Sequence, residues 1–152
     1  MAISFKLKYS ASATPIETIQ ATDTSQTVSL VHSSIDKSIG GGSELACGAT
    51  ATNVKYEEYE TTPAGVSLNT IVGDTITGID FLIVKIKSAK DAAADDPNLF
   101  LDISDDSYPN RLDGVGDCCM LRLNGLAGAD IKLKSTATTG LCNVDIMYGI
   151  AS

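Results

Sequence analysis

Five aspartates, Asp102, Asp105, Asp106, Asp113 and Asp117, fall within sixteen residues, with Asp95 and Asp96 just upstream. Two kinds of chemistry draw on such a set. Calcium takes about six to eight oxygen ligands from carboxylate-rich loops, and two carboxylates at a fixed separation can hydrolyse a glycosidic bond. The first reading fails on spacing, because the stretch does not place Gly and Glu where a helix–loop–helix calcium site needs them. The second lacks aromatic platforms for sugars, since the chain has no Trp and only 5% aromatic residues. These aspartates are read as solvated turn residues.

Nucleophiles are present without the groups that would activate them. His32 is the only histidine and stands beside Ser33 and Ser34, but no Gly-x-Ser-x-Gly elbow surrounds it. It is read as a rim histidine. Gly40–Gly42 with Ser43 lacks the Gly-Lys-Ser/Thr of a phosphate-binding loop, as Glu44 and Leu45 follow instead. Gly114-Val115-Gly116 lacks the third glycine of a dinucleotide site. Cys47, Cys118, Cys119 and Cys142 form no CxxC and no zinc-type pair with histidine. Buried, reduced thiols acting as small hydrophobes are expected; one disulfide from Cys118 or Cys119 to Cys142 is the alternative. The expectation is no enzyme, no metal and no cofactor.

The elements that must position these residues are written in a period of two. Phe5 and Leu7, Val28 and Leu30, Val54 and Tyr56, and Val66 and Leu68 alternate with polar neighbours. Leu99, Leu101 and Ile103 continue the rhythm, as do Cys119, Leu121 and Leu123, then Ile131 and Leu133, then Val144, Ile146 and Tyr148. Residues 81–84 are apolar on both faces, the mark of a central strand covered on both sides. Turn-rich pieces separate the runs. The pattern predicts an all-β fold, a β-sandwich or jelly roll of roughly eight to ten antiparallel strands, in a single domain spanning 1–152. A flexible loop is expected at 33–43, where three glycines run together, and a long acidic loop at 105–116. Residues 90–96, Ala-rich and stopped by Pro97, read as one helical turn or a plain loop. Tyr56 and Tyr59 with Glu57, Glu58 and Glu60 form a candidate exposed contact strip.

Charge narrows the partners. The net charge is −8, from 19 acids against 11 bases, and the bases are dispersed, which argues against nucleic acid. The start, MAISFKLKY, is broken by Ser4, Lys6 and Lys8 and is not a signal-peptide core. The longest apolar runs, 81–84 and 118–121, are far short of the roughly 20 residues of a membrane span. Folding in a reducing cytosol is expected.

The C-terminal strands add a resemblance. GIDFLIVKIK (78–87), NLFLDIS (98–104), CCMLRLN (118–124), ADIKLKS (129–135) and LCNVDIMYGIA (141–151) follow one another across short turns. This order, with the Val-x-x-x-Tyr strand at Val144–Tyr148, resembles small β-sandwich structural proteins of tailed phages, capsid decoration (cement) proteins among them. It covers roughly residues 66–151 and leaves 33–43 and 105–116 unaligned. The resemblance implies a virion protein on the capsid surface, assembled in the host cytoplasm. Its partner would be the major capsid protein lattice, met as a homo-oligomer with a trimer favoured. The alternative is a host-adhesion or carbohydrate-binding module of a fibre, with loop residues such as Tyr108 or Asn110 in contact.

Overall fold

The alternating runs form antiparallel strands, and the chain is an all-β sandwich. The computed structural model describes residues 4–13, 17–20, 27–30, 39–90, 97–104, 108, 110–136 and 140–152. In chain order the strands are β1 (Phe5–Ala13), β2 (Glu17–Gln20), β3 (Thr27–Leu30), β4 (Ile39–Gly48), β5 (Val54–Glu60), β6 (Val66–Ser67), β7 (Ile79–Ala89), β8 (Leu99–Ile103), β9 (Asn110–Leu112), β10 (Cys118–Leu126), β11 (Ile131–Lys134) and β12 (Cys142–Ile150). A short helix, α1 (Leu68–Val72), follows β6.

The chain divides into two compact units. One comprises the residues up to Leu7 and from Leu45 onward and holds two four-stranded sheets, ordered β10-β7-β12-β5 and β6-β11-β8-β9. The other, Lys8–Glu44, contains β2 paired antiparallel with β3, in register from Glu17↔Leu30 to Gln20↔Thr27. β1 pairs with β4 as a two-stranded ribbon whose strands run through both units.

The sandwich core follows from alternation. Leu82, Val84 and Ile86 of β7 and Val144, Ile146 and Tyr148 of β12 point inward from the first sheet. Leu99, Leu101, Ile131 and Leu133 meet them from the second, and all ten side chains are buried. Removing such apolar area from water, at about 25 cal/mol per Å², is the main favourable term in folding. β7 is apolar on both faces because its outer face is covered at one end. Phe81, 1% exposed, is level with Gly149 across the β7–β12 ladder. Over Gly149 lie Leu7, Leu45 and Cys47 at the foot of the β1–β4 ribbon.

Several local expectations change. Leu68 does not continue a strand: Ser67 Oγ accepts from Thr70 N at 3.3 Å and caps α1, which Gly73 ends at φ 72°. Leu68 still reaches the core, because one helical turn turns its side chain inward. Val54 and Tyr56 share a face, but it is the outer one, level with Gly149 and Met147 of β12. β5 is turned so that Glu57 and Tyr59 are half-buried while Tyr56, Glu58 and Glu60 face out. Three consecutive glycines do not exclude regular structure here: Gly40, Gly41 and Gly42 lie within β4, paired to β1. At Gly42 a Cβ would approach Tyr9 O at 2.6 Å, so the ribbon requires a residue without one. The rest of the expected 33–43 loop, up to 38, lies outside the described residues, as do 91–96 of the Ala-rich window. The acidic stretch at 105–116 is interrupted by β9, held beside β8 from Leu99↔Leu112 to Leu101↔Asn110.

Candidate interaction surface

Of the candidate aspartates, Asp102, Asp113 and Asp117 are among the described residues, and Asp102 lies on a different strand from the turn that holds the other two. Asp102 sits on β8, 1% exposed and level with Lys132 on β11. Asp113 pairs with Arg111. Asp117 Oδ2 accepts from the amides of Asp113 at 3.2 Å and Gly114 at 3.0 Å. Its carboxylate thereby closes the Gly114–Gly116 turn, an aspartate turn-capping role. Asp95, Asp96, Asp105 and Asp106 lie outside the described residues, as does His32 with Ser33 and Ser34. Among the described residues no three His, Cys, Asp or Glu side chains are grouped to hold a metal.

The four thiols are free. Cys119 and Cys142 stand on β10 and β12 with β7 between them, and their β7 partners are Val84 and Ala89. Strands two positions apart are roughly 9–10 Å from each other, beyond the reach of a disulfide.

One cluster of hydroxyl and thiol groups went unread in the sequence. At the end of the sandwich Thr61 Oγ1 lies 2.6 Å from Ser135 Oγ, which donates to Asn98 O at 2.8 Å. Cys142 N donates to Thr61 Oγ1 at 2.9 Å, and Thr136 donates twice to Asn98 Oδ1. Burial pushes the Cys142 thiol above its ordinary pKa, against hydrogen bonds from Thr61 and Ser135 that lower it. A thiol held protonated, with hydroxyls and carbonyls rather than a base around it, ties strands together; it is not an activated nucleophile. These residues are far apart in the chain, and no spacing in the sequence announces them.

The outer face of the β10-β7-β12-β5 sheet is organised differently. Met120 is paired with Ile83, Ile83 with Met147, and Met147 with Tyr56. These four side chains form one apolar row across all four strands. Tyr56 is 50% exposed and the other three are half-buried. A shallow groove runs here, lined by Tyr56, Ile83, Lys85, Asp145 and Met147.

A charged row flanks the apolar one. Tyr56 OH is 2.7 Å from Asp145 Oδ1 and 2.9 Å from Glu58 Oε1. Lys87 Nζ donates to Glu58 Oε1 at 2.6 Å and lies 3.7 Å from Asp145. Lys90 pairs with Glu60 at 2.6 Å. The Lys87 ammonium, and then the Tyr56 hydroxyl, hold the Glu58 carboxyl below its ordinary value. Hydrogen bonding to Glu58 raises Lys87, and the Asp145 carboxylate pushes the Tyr56 hydroxyl strongly upward. Tyr56, Glu58 and Glu60 thus form three of the five positions of the expected strip. Glu57 and Tyr59 fall on the other face because odd and even positions of a strand point to opposite sides.

Of Tyr108 and Asn110, the loop residues expected to touch a glycan, Asn110 belongs to the second sheet and Tyr108 precedes it outside any strand. Lys134 Nζ lies 3.8 Å from the centroid of the Tyr108 ring, and the Tyr108 hydroxyl packs on Gly65. Asn110 opens β9.

No family model matches the chain, and no curated protein or solved structure matches it.

Proposed function

We propose that this chain is a structural protein that works by surface attachment: a capsid decoration (cement) protein of a tailed phage that binds and stabilises the head as an oligomer. The carrying observation is the row Met120–Ile83–Met147–Tyr56 on the outer face of the β10-β7-β12-β5 sheet. A flat apolar row edged by mutually paired charges suits a broad contact with a protein surface, because its apolar centre is desolvated while the rim stays polar. The resemblance over residues 66–151 supplies the lattice as the partner. On a repeating lattice, weak contacts add up, since each later contact of an oligomer is effectively intramolecular.

The test is co-sedimentation of the purified chain with expanded capsids, with light scattering for its oligomeric state. Capsid binding that weakens at least tenfold in Met147→Lys, with melting temperature unchanged, supports the reading. A monomer without capsid affinity overturns it.

A further inference from the structure

The two four-stranded sheets have four edges among the described residues, and three of them are blunted. β6 offers two residues and β9 three. β5 carries Lys55, Glu57, Glu58 and Glu60 within its seven residues. Short length and charge are the devices by which sheets avoid joining to other chains. β10 has neither: its nine residues, CCMLRLNGL, contain one charge, Arg122, and no proline.

The backbone of this edge is aimed outward at alternate residues. Ile86 donates to Asp117 O at 2.9 Å and accepts from Gly116 N at 2.8 Å. By the two-residue alternation of an antiparallel ladder, Val84 and Leu82 also face β10. Their register partners Cys119 and Leu121 therefore have their backbone groups inside the sheet. Those of Cys118, Met120 and Arg122 point away from β7. Cys119, Leu121 and Leu123 pack on the core but are only half-buried, being the last inward side chains of their sheet.

We propose that β10 is a strand-addition edge occupied by β10 of a second copy, paired antiparallel about a two-fold axis at Met120. Charge selects this occupant. β10 against β10 places Arg122 opposite the uncharged Cys118 of the other copy, with no like charges facing. β5 against β5 would face carboxylates with carboxylates. The axis at Met120 pairs the regular segment Cys118–Arg122 with itself, up to the register shift that follows Arg122. It sets Cys119 against Leu121 on the inner side and Met120 against Met120 on the outer, extending two half-buried apolar rows across the contact. The result is one continuous eight-stranded sheet with an isologous interface. This contact stands independently of the capsid reading, and it departs from the trimer that the resemblance implies.

Backbone amide hydrogen exchange on the whole chain, with sedimentation for mass, tests it. A dimer in which the Met120 and Arg122 amides are protected along with Cys119 and Leu121 is the expected result. Met120→Lys, which sets two ammonium groups face to face, should weaken dimerisation at least tenfold and free the Met120 and Arg122 amides while Cys119 and Leu121 stay protected. Monomeric wild type with freely exchanging Met120 and Arg122 amides overturns the proposal. So does a trimer in which the Tyr56 and Glu58 amides of β5 are protected instead.

Discussion

Thr61 Oγ1 and Ser135 Oγ lie 2.6 Å apart, both buried, and join the chain just beyond β5 to the chain just beyond β11. Thr61 Oγ1 is also the acceptor for Cys142 N, where β12 begins. Thr61→Val keeps the side-chain shape but leaves the buried Cys142 amide without its acceptor, while Ser135 Oγ still donates to Asn98 O. Each buried polar group left unsatisfied costs about 1–3 kcal/mol. Chemical denaturation of Thr61→Val should show a loss in that range or above; a loss below about 0.5 kcal/mol would show that water replaces the hydroxyl.

Thiol reactivity should sort by burial. Cys118 is exposed, whereas Cys47 and Cys142 are fully buried. Burial raises the pKa values of Cys47, Cys119 and Cys142, which lowers their thiolate fraction. Under native conditions iodoacetamide should modify Cys118 first and leave Cys47 and Cys142 untouched until unfolding. Peptide mass spectrometry reads the order, and early labelling of Cys142 would contradict the buried cluster.

The Glu58–Lys87 pair has a defined pH window. Glu58 is depressed in the folded state, so its contribution holds above the ordinary glutamate value of 4.5 and is lost as pH falls through the lower folded value. Lys87 is raised, so its contribution holds below 10.5 and is lost as pH rises through the higher folded value. Nuclear magnetic resonance titration of the Glu58 carboxyl should give a midpoint below 4.5 that moves back up in Lys87→Met. An unshifted midpoint in that variant would remove Lys87 as the cause.

Gly149 tests the cover over the outer sheet face. A Cβ there would lie 3.1 Å from a Leu45 methyl carbon and 3.4 Å from one of Leu7. Valine gains up to about 1 kcal/mol in strand preference, but overpacking costs about 1–3 kcal/mol. The second effect should win, so Gly149→Val lowers the melting temperature and Gly149→Ala lowers it less. Equal or higher stability of the valine variant would mean that the ribbon foot is not packed on the sheet.

The sandwich was legible in the sequence wherever one strand face is buried, because alternation is the direct imprint of that burial. Val144, Ile146 and Tyr148 show it, and so does the doubly apolar run at 81–84 in the centre of its sheet. Legibility failed where the deciding partner is distant. The facing of Tyr56 depends on which side of β5 meets β12. The pairing of β4 with β1 overrides the local freedom of Gly40–Gly42. Nothing near Thr61 in the chain points to Ser135 or Cys142. The sequence by itself therefore determined the fold class, the alternation of core strands such as β8, β11 and β12, and the lack of a spaced catalytic motif, all properties of neighbouring residues. Only the tertiary structure decided which strands lie side by side. It thereby aligned Met120, Ile83, Met147 and Tyr56 in one row and placed β10, with one charge in nine residues, at the end of its sheet among the described strands, because register between strands is set by the packing of the whole sheet.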